Sequence, residues 1–293
     1  MRNSILKDVV LRISRILPDK EYLSILYLVK TKRLMNWGNP LRFNEKLQWL
    51  KIYNCRPEYT LYVDKYKVRE HIAKTIGEEH LVPLLGTWED PDDIDFGALP
   101  EQFVLKCNHN SAAGLCICKC KSKLNIEQVK RNLHYGLRQN YYLLGRERPY
   151  KNIPKKIIAE KLLKNGNDAG EISDYKFHCF NGEPEYCQVL LDRHTSLKTA
   201  FYNMQWDKQD IGRFSIMPYN GEYPKPQNFE QMREIARKLS CNIPYARVDL
   251  YDVNNNVYFG EMTFFPASGF NPFVPDKWDT IWGQLIKLPV RNK

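Results

Sequence analysis

The sequence contains no apolar run approaching the ~18 residues that a membrane-spanning helix requires, so no such span is expected. It has eight cysteines but no C-x2-C pair, which removes the usual zinc-site spacings. No zinc-finger spacing, RRM signature, low-complexity tract or fixed-period repeat is present, which argues against a dedicated nucleic-acid binder or a solenoid. A P-loop is missing, and so is any convincing Ser-His-Asp or Cys-His constellation. The spaced aspartates of "DPDDID", Asp90 to Asp95, read as an acidic loop rather than a sugar-nucleotide metal motif.

What is present is charge, and mostly positive charge. The net charge is +10 over 293 residues, spread along the chain, which favours anionic partners such as nucleotides, acidic glycans or anionic lipid. At the N-terminus, Ile5, Leu6, Val9, Val10, Ile13, Ile16 and Leu17 recur at helical spacing, interrupted by Lys7, Arg12 and Arg15. These charges and the missing small-residue cleavage site argue against a secretory signal. The pattern fits an amphipathic helix packed on its own protein or lying on a membrane surface. A cytoplasmic protein with reduced thiols is expected, with peripheral attachment to the inner face of a membrane left open. Cys116, Cys118 and Cys120 alternate along a predicted strand, with Cys107 upstream, and are expected to pack in a core.

Helical periodicity dominates the first 60 or so positions, with Asn44 as the predicted cap of "FNEKLQWLKIY". In "VDKYKVREHIAKTIG", Asp64 is the predicted N-cap and Gly77 the stop, which would put Lys65 and Arg69 on one helical face. Beyond residue 100, strands predominate, including a hairpin turning at Asn181-Gly182 and a closing pair, "YARVDLYDV" and "VYFGEMTFF". Antiparallel strand pairs interleaved with helices make the chain α+β.

The closing pair carries the chemistry. Alternation puts Arg247 and Asp249 on one face of the first strand, and Glu261 and Thr263 together on the second. A three-residue loop at Asn254 to Asn256 would pair Val253 with Val257, setting Asp249 opposite Glu261 and Arg247 opposite Thr263. Like charges facing each other cost about 0.2–1 kcal/mol; a divalent cation between them would reverse the sign. The alternatives are neutralisation by Arg247 or a shifted register. Lys106, at the end of "FVLKC" and before "NHNSAAG", could hold a phosphate. Lys65 and Lys176, taken alone, read as solvated surface lysines rather than ligand contacts.

Together, "FNEKLQWLKIY", "DKYKVRE", "FVLKCNHNSA", "IIAEKLL", "DYKFHCFNGEP", "ARVDLYDV" and "YFGEMTFFPASGF" resemble the ATP-grasp superfamily, and within it the teichuronopeptide-biosynthesis (TupA-like) family. The resemblance implies an ATP-grasp fold, two α+β subdomains clasping ATP, preceded by a mainly helical region over 1–62. It divides the rest into a first part of the core at 63–100, a lid subdomain at 101–163 and a C-terminal subdomain at 164–293. Lys65, Lys106 and Lys176 would contact ATP phosphates. Asn108, His109, Asn110 and Ser111 would begin a flexible lid running to Gly114, and Glu160, Lys161 and Leu162 would be the adenine-binding hinge. Asp249 and Glu261 would hold Mg2+. Thr263 stands where many relatives have an asparagine ligand, and Asp168 and Glu171 are candidates for the ribose.

The implied activity is an ADP-forming carboxylate–amine ligase working through an acylphosphate, with ATP and Mg2+ as cofactors. Its substrates would be a small-molecule or glycan carboxylate and an amine, for instance a uronic acid in bacterial surface polysaccharide synthesis. Arg247 and Lys106 would be the catalytic cations. Pro266, Ala267, Ser268 and Gly269 would line the acceptor site with backbone N–H groups. A sugar kinase, a glycosyltransferase or a non-catalytic nucleotide-binding scaffold are the alternative readings.

Overall fold

The structure, a computed structural model, describes residues 16–164, 172–191 and 197–290. The amphipathic pattern before Ile16 and the ribose candidates Asp168 and Glu171 lie outside the described residues.

Four helices come first: α1 (Asp19–Thr31), α2 (Phe43–Tyr53), α3 (Glu58–Val63) and α4 (Val68–Thr75). The expected Asn44 cap is corrected. Helix α2 begins at Phe43, and Glu45 reaches back to accept the N–H groups of Leu41 and Arg42 at 2.9 and 3.1 Å, doing what an N-cap side chain does for orphaned amides. Asn44 is buried, its own N–H given to Asp279 at 3.0 Å. Asp64 caps a turn rather than α4: its carboxylate accepts from Tyr66 and Lys67, one turn before the helix starts. Lys65 therefore sits in that turn and does not share a helical face with Arg69.

A four-stranded antiparallel sheet follows, in the order β1-β4-β2-β3. Its strands are β1 (Leu84–Trp88), β2 (Phe103–Cys107), β3 (Cys116–Cys118) and β4 (Ile157–Lys161). Between β3 and β4 run helices α5 (Ile126–Arg138) and α6 (Tyr142–Gly145). Val129 and Leu133 of α5 pack onto Phe103, Leu105, Ile157 and Ala159, giving this sheet its own small core. Cys118 is buried there and Cys116 packs against it, whereas Cys120 lies past the end of the strand.

The larger sheet has the order β10-β7-β6-β5-β11-β12, with β8 attached to β7. Its strands are β5 (Asp174–Phe180), β6 (Glu183–Leu191), β7 (Lys198–Asn203), β8 (Lys208–Gln209), β10 (Met217–Pro218), β11 (Tyr245–Val253) and β12 (Asn256–Thr263). A separate two-stranded ladder joins β9 (Gly212–Arg213) to β13 (Phe273–Val274). Helix α7 (Phe229–Ser240) lies on the face carrying Phe177 and Cys179. Strand alternation then puts Asp174, Lys176 and His178 on the opposite face. Helix α8 (Lys277–Leu285) packs against α2, where Phe43 meets Tyr245, Phe273 and Trp282 edge-on.

The β11–β12 hairpin pairs Asp249 with Glu261 and Arg247 with Thr263, as expected, but by a different route. The loop is two residues, Asn254-Asn255, both at positive φ, and Val253 pairs with Asn256 instead of Val257. This is the turn geometry that right-twisted strands prefer, and asparagine tolerates it. A bulge between Leu250 and Asp249 then skips Gly260 and restores the register. A Cβ on residue 260 would lie 3.0 Å from the Asp249 carbonyl oxygen, so glycine suits the bulge.

Candidate active site

Three strands of the larger sheet put their charges at one place. The Lys176 ammonium, buried on β5, pairs with Asp174 at 2.7 Å and with Asp249 of β11. Arg247 donates from Nε to Asp249 Oδ1 at 2.6 Å and from Nη2 to Asp249 Oδ2 at 2.8 Å. The same Nη2 reaches Glu261 Oε1 and Thr263 Oγ1, each at 3.1 Å. Burial alone would lower the Arg247 pKa, but Asp249 and Glu261 more than offset that and raise it. Lys176 is thus no solvated surface lysine. In this structure Arg247 itself neutralises the facing carboxylates.

The four-stranded sheet contributes a second cluster. Lys106 on β2 pairs with Glu160 on β4 at 2.6 Å, and Arg69 of α4 approaches the same carboxylate at 3.7 Å. Lys65 joins the two clusters. Its ammonium donates to the Asn110 carbonyl at 2.7 Å and lies 4.0 Å from Glu261, and Glu261, Lys106 and Glu160 all act on its charge. Burial, the largest influence, lowers its pKa. Five cations (Lys65, Arg69, Lys106, Lys176, Arg247) therefore stand among five carboxylates (Asp64, Glu160, Asp174, Asp249, Glu261), a charge-balanced cluster.

Three oxygens, one each from Asp249, Glu261 and Thr263, lie 2.8–3.1 Å from the single nitrogen Arg247 Nη2. Thr263 Oγ1 and Glu261 Oε1 are 3.4 Å apart. Two carboxylates and a hydroxyl converging on one point form the all-oxygen donor set that hard cations take. The residues present fit Mg2+, provided the guanidinium moves aside.

The "NHNSAAG" loop is not free along its length. Asn108 donates to Asp64 and to the Pro154 carbonyl, both at 2.9 Å, and accepts from Lys156 N–H at 2.8 Å. Asn110 donates to the Gly136 carbonyl at 3.0 Å, and both asparagines and His109 are buried. Only Ser111 and Ala112 at the tip are exposed. In the expected hinge, the Glu160 side chain is taken up by Lys106 and Arg69, Lys161 is exposed and donates its N–H to Pro83, and Leu162 follows the strand half-buried.

Neither ring nitrogen of His109 has a hydrogen-bond partner, and burial pushes its pKa down to about 4 from its ordinary 6.5. The folded protein thus binds fewer protons here than the unfolded chain below pH 6.5. Stability from this group is present above that value and lost as pH falls towards 4, by roughly 3 kcal/mol. His109→Phe is expected to remove that part of the acid sensitivity, measured as urea-unfolding free energy at pH 7 and pH 4.5. An unchanged pH slope would show that His109 is protonated freely in the fold.

The bend after β12 runs from Pro266 to Gly269. Pro266 opens it, and Ala267, Ser268 and Gly269 all have positive φ. The carbonyls of Ser268 and Gly269 turn inward to Gln48, at 3.1 and 2.9 Å, and Ser268 O also accepts from Lys51 at 2.8 Å. Ser268 N–H closes back on Phe265. The bend is thus anchored on α2 through carbonyls, and its Ser268 hydroxyl donates to Glu147 at 2.5 Å. Lys51 and Glu147 were not anticipated, because they become neighbours only when α2, the segment after α6 and the bend meet. Asp174 could have been anticipated, since it lies two positions from Lys176 on the same strand face. Tyr141 and Tyr150 sit 4.7 Å apart, close enough to Glu147, Glu261 and Arg247 for each charge to act on both phenols.

No curated protein matches the chain. Among solved structures, D-alanine–D-alanine ligase from Bacillus anthracis complexed with ATP is 16% identical, with 70% of this chain and 54% of that one covered at a TM-score of 0.41. D-alanyl-alanine synthetase A from Vibrio cholerae is 12% identical, covering 85% and 69% at 0.47. The ATP-grasp ligase PsnB, complexed with minimal precursor, Mg and ADP, is 12% identical, covering 75% and 57% at 0.40. The chain spans about half the length of the first of these. The TupA-like ATPgrasp family model matches residues 45–287, and the chain belongs to that family.

Proposed function

We propose that the protein is an ATP- and Mg2+-dependent carboxylate–amine ligase that activates a carboxylate as an acylphosphate. The observation that carries this reading is the position of Lys65. It stands between Lys106 and Glu160 of one sheet and the Asp249–Glu261–Thr263 oxygens of the other. Phosphoryl transfer to a carboxylate brings two anions together, so its catalysis consists largely of neutralising and aligning them. Lys65 and Lys106 hold the phosphates, and Glu160 with Arg69 keeps Lys106 in place. Asp249, Glu261 and Thr263 hold Mg2+, which when bound supplies charge neutralisation at the transferring phosphoryl group.

Lys176 serves the site as a fixed counter-charge to Asp174 and Asp249, with both of which it is buried. Arg247, displaced from the carboxylates, is long enough to reach the substrate carboxylate or its acylphosphate and to pair with it in bidentate fashion. Ser111 and Ala112 form the part of the "NHNSAAG" loop able to close over the phosphates, and Glu160 to Leu162 form the adenine-facing edge. No nucleophile from the protein is needed, because the amine substrate attacks the acylphosphate directly. The basic surface suits an acidic sugar, and family membership favours a uronic acid of a bacterial surface polysaccharide as the carboxylate.

The experiment is calorimetric titration of ADP with and without Mg2+. The wild type is expected to bind ADP more tightly with Mg2+. Glu261→Gln should lose the Mg2+ enhancement while melting like wild type, since Glu261 is the more exposed carboxylate of the pair. Wild-type protein that fails to bind ADP under any condition would remove the nucleotide from the proposal. A Glu261→Gln protein with the full Mg2+ effect would remove Glu261 from the metal.

A further inference from the structure

One side chain occupies the point that the metal needs. Arg247 Nη2 lies 2.8 Å from Asp249 Oδ2 and 3.1 Å from both Glu261 Oε1 and Thr263 Oγ1, while Arg247 Nε holds Asp249 Oδ1 at 2.6 Å. Mg2+ draws its oxygens in to roughly 2.1 Å. A guanidinium nitrogen in the middle of the same three oxygens therefore excludes it. Two cations compete for one set of donors.

Lys176 is the cation that stays, its ammonium buried between Asp174 and Asp249. Arg247 is the one that can leave. Its side chain is 14% exposed, and its outer partner Glu261 is 39% exposed, against 2% for Asp249. The Glu261 side is thus the open side of the site. Once out, Arg247 finds the other carboxylates of the cluster engaged. Asp174 is held by Lys176, Glu160 by Lys106 and Arg69, and Asp64 by the N–H groups of Tyr66 and Lys67. Glu147 accepts from Ser268. Because the cluster is already charge-balanced, Mg2+ entering alone adds uncompensated positive charge and strands a guanidinium. A largely buried cation without a counter-ion is costly. An anion that pairs with Arg247 removes that cost.

We propose that Arg247 is a latch between the metal and the carboxylate substrate. It plugs the Asp249–Glu261–Thr263 site until Mg2+ with nucleotide displaces it, and the displaced guanidinium then receives the carboxylate. Metal and carboxylate thereby bind cooperatively, in that order, and each favours the other by the same factor. No carboxylate is captured before the phosphoryl donor is in place. The role of the carboxylate rests on the ligase reading; the exchange between Arg247 and the metal rests on the distances alone. An arginine that only braced the hairpin would have the opposite signature, since its loss would loosen both carboxylates and weaken metal binding.

The test is a calorimetric titration of MgCl2 alone at constant ionic strength. Removing the plug frees the oxygens, so Arg247→Met is expected to bind Mg2+ about tenfold tighter than wild type or more. Lys65→Met removes an equal charge 4.0 Å from Glu261 and should tighten binding far less. Should Arg247→Met not fold, wild-type protein with 15N-labelled arginine answers the same question. Its Arg247 Nε–H resonance, assigned by its loss in the charge-conserving Arg247→Lys, should shift when Mg2+ and ADP are added. Acetate in place of chloride should shift it further, and only in their presence. The latch is overturned if Arg247→Met binds Mg2+ no tighter than wild type, or no tighter than Lys65→Met. An Nε–H unmoved by Mg2+ with ADP overturns it too, as does an acetate shift that is absent or does not need them. Failure of ADP to bind the wild type removes the ligase reading instead, and the MgCl2 titrations still decide the exchange.

Discussion

Asp249→Asn is expected to lower the melting temperature by roughly 10 °C and to abolish Mg2+-dependent nucleotide binding. The size follows from what Asp249 neutralises. Its two oxygens hold the Lys176 ammonium and both arms of Arg247, and all three side chains are largely withdrawn from solvent. Asparagine keeps the shape and one acceptor but removes the charge. Two buried cations would then face Asp174 alone on the inner side and Glu261 on the outer. Breaking a buried pair costs about 3–5 kcal/mol because the remaining charge is uncompensated; asparagine's residual acceptor puts this case near the lower end.

Glu261→Gln is the contrast. Glu261 shares Arg247 with Asp249 but is much more exposed, so its loss should affect function with little cost in stability. Thermal melts and ADP titrations of both variants separate the two roles. If Asp249→Asn melts as wild type does, the Lys176–Asp249–Arg247 cluster is not holding the sheet together. If it still binds ADP with a Mg2+ enhancement, Asp249 is not a metal ligand.

The sequence displays part of this site openly. Alternation in β11 and β12 identifies the Arg247–Asp249 and Glu261–Thr263 faces without any tertiary knowledge. Their opposition survives a wrong loop length because Gly260 absorbs one residue in a bulge. Asn254-Asn255 carries the signal for a two-residue turn, but a third asparagine beside it makes the loop look longer. The Asn44 cap fails for a similar reason: Glu45, a neighbour better placed to reach back, satisfies the amides first. Local pattern does not reveal contacts between distant segments. Arg213, Glu147 and Lys51 read as ordinary charged residues until the fold buries them, and a periodicity argument contains no term for which distant segment closes over a side chain.

Lys51→Met is expected to destabilise the protein by about 3–5 kcal/mol. Lys51 has no exposed surface, and its three N–H donors are all used, on Gln48 Oε1 and the carbonyls of Gly145 and Ser268 at 2.7–2.9 Å. The ammonium also lies 4.6 Å from the Phe270 ring centre. It thereby fastens α2, the end of α6 and the Pro266–Gly269 bend to one atom. Burial, opposed by Glu147, lowers its pKa to about 7, and burial likewise raises that of Glu147. With the lysine pKa depressed, the unfolded chain binds more protons than the folded one between about pH 7 and 10.5. Stability from Lys51 therefore rises with pH across that window, and Lys51→Met should flatten the rise. Part of the loss comes from the Glu147 carboxylate left without a cation, so adding Glu147→Gln to Lys51→Met should return about 2 kcal/mol. Urea unfolding of the two single variants and the double variant measures this coupling. Strictly additive losses would mean that Lys51 acts only through the carbonyls it binds, and that burial alone holds Glu147 neutral, against the charge-favouring hydrogen bond from Ser268.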